Sequence, residues 1–154
     1  MRIALEAVAI QITVPTLTSA DIADLEGYMA QMAHFQKLGD DVGMRAPHSA
    51  FHRLLIAASG ARVSGEIADL SDHSERYRLR FGGLGNLDVR AEHRGILDAA
   101  AASDPALAAV RLVEHYARAA ALVFSVLKPE HGLGRLRTAI RAVAPGAEAA
   151  LGAD

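Results

Sequence analysis

Two histidines lie in the segment PHSAFHRLLIAA, residues 47–58, on the side that a helix would turn toward a core. His48 and His52 are four residues apart, and Phe51 and Leu55 complete an i, i+3, i+4, i+7 stripe with them. Side chains at this spacing project over the same patch, an arrangement that suits two ligands of one metal ion. The pair is therefore a candidate metal clip.

Two more histidines lie on apolar stripes of later segments. His93 begins the stripe of HRGILDAA, and His115 lies in the longest apolar stripe of the chain, from Leu112 to Val126. Four buried imidazoles need hydrogen-bond partners, because each unmet buried polar group costs about 1–3 kcal/mol. One divalent cation held by three helices would satisfy all four, whereas separate bonds to carbonyls or carboxylates would make them structural. Spacing alone leaves both interpretations open.

The other histidines fit such a site less well. His34 lies off the apolar stripe of its segment and His131 lies in a loop, so we expect both to face solvent. His73 lies beside a stripe and could face either way.

The segments that carry these residues all have helical patterns, separated by Pro, Gly and Asx signals. The predicted helices cover about 2–13, 19–38, the segment ending at 58–61, 62–81, 87–102, 105–127 and 135–144. No alternating strand pattern appears, and GGLGN at 82–86 is predicted to be a loop. The prediction is all-α, with six or seven helices in an antiparallel bundle.

Some local details of these helices can be predicted and others stay open. The first helix should turn one side to the core, formed by Leu5, Val8, Ala9 and Ile12. Ser19 or Thr18 caps the second, Ser103 or Asp104 caps the sixth, and the Ala/Gly-rich residues after 144 are expected to fray.

The start of the third helix bears directly on the histidine pair. Pro47 is either its first residue or a kink in a longer helix that begins near Asp40. If Pro47 is the first residue, His48 lies in the first turn, where the helix dipole disfavours imidazolium and favours the neutral form that binds a metal.

Composition excludes several classes of protein. The 154 residues suit one domain, and the net charge of −2 with interspersed signs gives no footprint for nucleic acid or anionic membrane. The absence of cysteine excludes disulfides, thiolate metal sites and a cysteine nucleophile. With no signal-peptide pattern and no apolar run near 20 residues, a cytoplasmic protein is expected.

Three segments together resemble a known family, the FCD domain, which is the effector-binding C-terminal half of FadR-type GntR transcriptional regulators. AFHRLLIAASG resembles its F-H-x-x-L-x-x-A-S/A-G signature, and EHRGILDAAAASDPALAAVRLVEH resembles its E-H-x-x-I-L-x-A…D-x-x-A-A…H signature. RIALEAVAIQ, followed by LTSADIADLEGYM, resembles its opening helix and T-x-x-D-L-x-x-L pattern. The similarity runs from about residue 2 to about residue 127.

The resemblance implies an all-helical bundle that commonly holds a divalent metal, often zinc or nickel. The family's ligands are a carboxylate four residues before the F-H histidine, that histidine, the E-H histidine and the last histidine. The last three match His52, His93 and His115, whereas the first position is His48, where the family usually has Asp or Asn. An all-nitrogen set favours Zn²⁺, Ni²⁺, Co²⁺ or Cu²⁺ over Mg²⁺, Ca²⁺ or Mn²⁺.

Two alternatives remain for the fourth ligand. If all four imidazoles bind, open positions remain only on a five- or six-coordinate ion, and an anionic effector could complete its sphere. If Pro47 shifts the helix, His48 drops out and Asp40 or Asp41 serves instead.

The resemblance also implies a small organic-acid effector beside the metal, held by arginines. Arg2 occupies the place of the family's opening-helix arginine, and Arg78, with Tyr77 beside it, is the second candidate. Both could instead be solvated surface arginines. Ser74 and Tyr116 are weaker candidates for the same cavity.

The expected function is that of a metal-containing sensor, dimeric as the family's domains often are, and not an enzyme. Residues 2–127 would form the FCD-like domain and 128–154 a short helix and tail of the same domain. These 154 residues have no room for a winged helix as well, so the chain is expected not to bind operator DNA alone. A metal-dependent hydrolase and a dimerisation module without a ligand are the alternatives.

Overall fold

The computed structural model describes residues 1–80, 89–127 and 132–152, without the side chains of a few helical residues next to the gaps. Seven α-helices and three short 3₁₀ helices make up this part of the chain, and no strand occurs in it. The α-helices are α1 (Arg2–Thr13), α2 (Ser19–Leu38), α3 (Asp41–Leu55), α4 (Ala61–Arg80), α5 (Val89–Ala101), α6 (Pro105–Leu127) and α7 (Gly134–Val143). The all-α prediction is confirmed. The loop predicted at 82–86 lies outside the described residues.

The helices pack in an order that differs from their order in the chain. α2 packs against α3 and α5, α5 packs against α6, and α6 packs against α1, which also contacts α4. The main core lies between α2, α3, α5 and α6, and its largest fully buried side chains include Phe51, Leu55, Ile96, Leu97 and Leu112. This packing brings the three histidine-bearing helices to one core. Within the described residues, no helix is long and apolar enough to cross a membrane.

The predicted core face of α1 is partly wrong. Val8 and Ile12 are 57% and 48% exposed, while the buried side consists of Glu6, Ala7, Ala9, Ile10 and Thr13. Alanine side chains let α1 lie close to α6, and the Thr13 hydroxyl is satisfied by the carbonyl of Ala9 at 2.9 Å. Because α1 is apolar on several sides, close packing and polar satisfaction decide which side is buried.

Caps resolve the three helix starts that the sequence left open. At α6, the Asp104 carboxylate accepts from the Leu107 amide at 2.9 Å, so Asp104 and not Ser103 is the cap. Thr18, not Ser19, caps α2 in a capping box with Asp21. Asp40 caps α3 by accepting a hydrogen bond from the Gly43 amide at 2.8 Å, so Pro47 lies inside the helix. His48 is therefore beyond the first turn, and the expected dipole effect on its protonation does not apply.

The described residues after 144 pack against the bundle, whereas the sequence predicted that they would fray. Residues Ala147–Leu151 form a 3₁₀ helix that packs on α6, and Ala147 and Leu151 are buried. Arg137 secures this turn by donating to the carbonyls of Glu148 at 3.2 Å and Gly152 at 2.7 Å. A second apolar cluster results, joining Ala7 and Val113 to the tail.

If this tail is part of the core, Leu151→Ala should lower the free energy of unfolding by about 2 kcal/mol, since it empties a buried leucine site. Leu38→Ala is the matched control because Leu38 is 65% exposed, and we expect it to change stability by less than about 0.5 kcal/mol. Urea unfolding followed by circular dichroism measures both. Equal, small effects of the two changes would show that the tail is not packed.

Candidate metal centre

Four histidines from three helices meet at the end of the main core. α3 provides His48 and His52, α5 provides His93, and α6 provides His115. One ring nitrogen from each residue lies within 4.8 Å of the corresponding nitrogen of every other. His52, His93 and His115 are buried and His48 is half-buried. We refer to these four residues as the histidine cluster.

The rings of the cluster pack at angles to one another, except those of His52 and His115, which are stacked with 5.4 Å between centroids. The His52 and His93 Nε2 atoms are 3.1 Å apart, and the ring centroids of His48 and His52 are 4.6 Å apart. Phe51 closes the core side, with its ring edge-on to His93 at 5.1 Å between centroids. An apolar wall thus shields the buried nitrogens from water on that side.

The tautomer of His52 follows from its hydrogen bonds. The Tyr116 hydroxyl donates its only proton to Glu6 Oε2 at 2.5 Å. Its oxygen lies 3.0 Å from His52 Nδ1, so the imidazole must be the donor in that contact. His52 therefore carries its proton on Nδ1, and the Nε2 lone pair faces the cluster.

His115 is held in the same way by a carboxylate. Its Nδ1 lies 2.7 Å from Glu92 Oε2, and an ionised carboxylate can only accept, so His115 donates from Nδ1. Arg118 donates to the other oxygen of Glu92 at 3.2 Å. Burial would raise the pKa of Glu92, but the hydrogen bonds and charges of His115 and Arg118 outweigh burial and lower this pKa. This contact puts a proton on Nδ1 of His115, so in the neutral ring the lone pair is on Nε2.

Burial also keeps His52 neutral. Desolvation, followed by the charges of His48, His93, His115 and Arg2, holds the pKa of His52 well below its ordinary 6.5. Only a neutral imidazole can offer a lone pair to a metal ion, so this shift favours the form that binds.

The donor set fits a borderline divalent cation. Two nitrogens bound to one zinc ion at about 2.0–2.1 Å lie about 3 Å apart or somewhat more. The 3.1 Å between His52 and His93 Nε2 matches this spacing. The same spacing also accommodates a proton on His93 Nε2 donated to His52. The partners that fix the outer nitrogens of His52 and His115 are of the kind that surround metal-binding histidines.

His48 lies beside the other three histidines, whereas Asp40 and Asp41, the alternative fourth ligands, do not. Asp40 is engaged as the cap of α3, and Asp41 is exposed at the first residue of this helix. His48 is seven residues further along, about 10 Å along the helix axis.

The predicted effector residues have different surroundings. Arg2 donates from Nε to Glu6 Oε1 at 2.6 Å, and its guanidinium carbon lies 4.2 Å from the centre of the Tyr116 ring. Ser74 is exposed, and its hydroxyl donates to the Leu70 carbonyl of its own helix at 3.0 Å. The side chains of Tyr77 and Arg78 lie outside the described residues.

The remaining histidines lie away from the cluster or outside the description. His34 is exposed as expected, His73 is also exposed, and His131 lies outside the described residues.

The sequence interpretation missed the residues that orient the cluster, namely Glu6, Glu92 and Arg118. Glu6 had a visible signal, because it is a carboxylate within an otherwise apolar helix and is 1% exposed. Glu92 directly precedes His93 but bonds to His115, a pairing that depends on how α5 packs on α6. No periodicity within one helix could reveal that contact.

Comparison with known proteins gives one match. The family model of the FCD domain matches residues 1–118, which include the whole histidine cluster. No curated protein and no solved structure matches the chain.

We expect metal-free protein to lose stability as the pH is lowered from about 7.5 to about 5.5. The pKa of His52 is well below its ordinary 6.5 in the folded protein. At a pH between the folded and the unfolded pKa, the unfolded chain binds more protons than the folded chain, so unfolding becomes easier as the pH falls. Thermal unfolding in excess chelator measures the slope. His52→Asn keeps an amide donor near Tyr116 but does not titrate, so its slope should be shallower. Identical slopes would contradict the assigned shift.

Proposed function

Since the chain belongs to the FCD domain family, the ligand-sensing regulatory domains of GntR-type regulators, we propose that it senses a small anionic metabolite beside a metal. The observation that carries the proposal is the meeting of four histidine nitrogens from three helices at the end of the core. A carboxylate is the simplest ligand of this kind, because it can contact both a cation and an arginine.

The metal we propose is zinc or nickel, held by His48, His52, His93 and His115. Its chemistry would be that of a Lewis acid that attracts an anion. The preference follows from four nitrogen donors, which are softer than the carboxylate oxygens that suit manganese or magnesium. The half-buried ring of His48 supports an approach for an anion from that side, because the other three rings are buried.

Arg2 is the arginine that we propose for the effector. Its charge is near enough to contribute to the shifted pKa of His52, and its Nε already binds the carboxylate of Glu6. A ligand carboxylate would thus compete with Glu6 for a guanidinium at the first residue of α1. We keep Arg78, Tyr77, Ser74 and Tyr116 as further candidates, with Ser74 requiring release of its bond to Leu70.

Signal transmission in this proposal is a population shift. A ligand that binds better to one packing of α1 on α6 stabilises that packing and alters the surface that a partner meets. The exposed side chains of Val8 and Ile12 on α1 support the further proposal that a second copy of the chain packs there. We further propose that the sensor acts in the cytoplasm.

We propose a regulatory and not a catalytic role. Metal-assisted hydrolysis needs a proton acceptor beside the metal. The nearby carboxylates are already paired. Glu6 binds Arg2 and Tyr116, and Glu92 binds His115 and Arg118. Glu114, which precedes His115, forms ion pairs with Arg111 and Arg118. These contacts favour roles in orientation. A hydrolase would show turnover that chelation abolishes, whereas a dimerisation module would not respond to chelation.

The residues after the family match belong, in our proposal, to the same domain. α7 packs against α1, and the 3₁₀ helix Ala147–Leu151 packs against α6. Ile140 and Leu151 are buried in the cluster that contains Ala7 of α1, so the tail shares a core with the matched residues.

Elemental analysis with thermal unfolding tests the metal. We expect about one equivalent of zinc or nickel in the purified protein and a melting temperature that falls by several degrees on chelation. Metal competition should show zinc bound far more tightly than manganese. His48→Asp should narrow this difference, because it adds an oxygen ligand and a negative charge. The control His34→Asp makes the same change at an exposed site. Absence of metal in a protein that also fails to take up zinc would overturn the proposal.

A panel of acetate, succinate and citrate tests the anionic effector. A binding carboxylate should raise the melting temperature of the metal-loaded protein and have little effect after chelation, because binding only to the native metal site stabilises it. Arg2→Gln should weaken this response, whereas Arg94→Gln, a half-exposed arginine on α5, should not. Equal responses with and without metal would place the anion elsewhere.

A further inference from the structure

Tyr116 stands between the histidine cluster and a buried ion pair. Its hydroxyl contacts His52 Nδ1 at 3.0 Å on one side and Glu6 Oε2 at 2.5 Å on the other. Tyr116 belongs to α6, Glu6 to α1 and His52 to α3, so this single hydroxyl joins three helices. All three side chains are at least nine-tenths buried, which excludes water as a ready replacement partner.

Glu6 determines which way the Tyr116 proton points. Arg2 holds one carboxylate oxygen of Glu6 at 2.6 Å and lies over the tyrosine ring, which leaves the other oxygen to accept from the hydroxyl. A phenol with its proton on Glu6 can only accept from His52. Glu6 therefore selects the tautomer of His52 through Tyr116, without contacting the imidazole itself.

The comparison with His115 shows what the phenol adds. His115 donates directly to a carboxylate, Glu92, whereas His52 donates to a neutral oxygen. The Tyr116 hydroxyl carries its own proton, because it donates to Glu6. The proton of His52 is thus held on Nδ1 without a charged group in contact with the imidazole.

We propose that Tyr116, oriented by Glu6, is the positioning residue that holds His52 with its proton on Nδ1 and its Nε2 lone pair toward the cluster. This inference deepens the proposed function. Only the expected change in metal affinity rests on the metal site, whereas the tautomer of His52 does not. Without this hydroxyl, His52 can instead carry the proton on Nε2 and donate it to His93, 3.1 Å away. That tautomer cannot bind a metal through Nε2.

Tyr116→Phe removes the hydroxyl and keeps the ring under Arg2. We expect the zinc affinity, measured by competition with a chromophoric chelator, to fall by about 10- to 100-fold, as for other changes beside metal-binding histidines. Tyr28→Phe is the matched control, since Tyr28 is a partly buried tyrosine packed against the main core from α2. It should leave zinc affinity unchanged.

The tautomer itself can be measured in metal-free protein by nitrogen-15 NMR of the histidine rings. We expect His52 to carry its proton on Nδ1 in the natural chain and largely on Nε2 in Tyr116→Phe. Glu6→Gln retains an oxygen acceptor for the tyrosine, so it should preserve the tautomer better than Tyr116→Phe does. If Tyr116→Phe does not fold, Glu6→Leu is the second variant. It removes the acceptor and lets Tyr116 donate to His52, so it should also move the imidazole proton to Nε2, and an unchanged tautomer would contradict the positioning role.

The possible results separate this inference from the proposed function. An unchanged His52 tautomer in Tyr116→Phe, with unchanged zinc affinity and only a lower melting temperature, would overturn the positioning role. A tautomer that shifts as expected, in a natural chain that binds no zinc, would support the positioning role and overturn the metal sensor.

Discussion

A neutral imidazole has one proton to donate and one lone pair to offer, and a buried one must use both. His52 and His115 solve this problem in parallel ways. Each directs its Nδ1 proton outward to a group that an arginine anchors, through Tyr116 and Glu6 to Arg2 in one case and through Glu92 to Arg118 in the other. In the neutral rings, the remaining lone pairs are then on the Nε2 atoms. Much of the surrounding structure follows from this requirement.

The side of α1 that is buried is one consequence. A helix selected for apolar burial alone would direct Val8 and Ile12 inward, yet it buries Glu6 and leaves those two exposed. Burying a carboxylate is unfavourable unless it is paired and hydrogen-bonded. Arg2 and Tyr116 supply both conditions, and the small side chains of Ala7 and Ala9 let α1 come close to α6. The polar network thus fixes the rotation of α1 about its axis.

The sequence allowed prediction of features that depend on one helix at a time. The stripe of His93, Ile96, Leu97 and Ala100 is buried as its spacing indicates, and the α5 and α6 limits lie close to the Gly, Pro and Asp signals. Two features that depend on the packing of one helix on another were not predicted. The rotation of α1 and the bond from His115 to Glu92 both depend on packing against α6. Pro47 shows the same limit, because its sequence fits a helix start as well as a kink, whereas in the bundle it lies buried inside a helix that Asp40 caps.

The replacement of the family's usual carboxylate by His48 changes the electrostatics of the proposed site. Around the cluster, Arg2 is balanced by Glu6 and Arg118 by Glu92, so these four charges nearly cancel. A divalent ion held by neutral imidazoles would then keep most of its charge uncompensated within a region of low dielectric. Such an ion would attract a ligand carboxylate more strongly than an ion that already has a carboxylate among its protein ligands. Because His48 is the least buried of the four rings, the substitution lies on the side from which an anion would arrive. In the proposed site, the same substitution would link the choice of a borderline metal to the affinity for an anionic ligand.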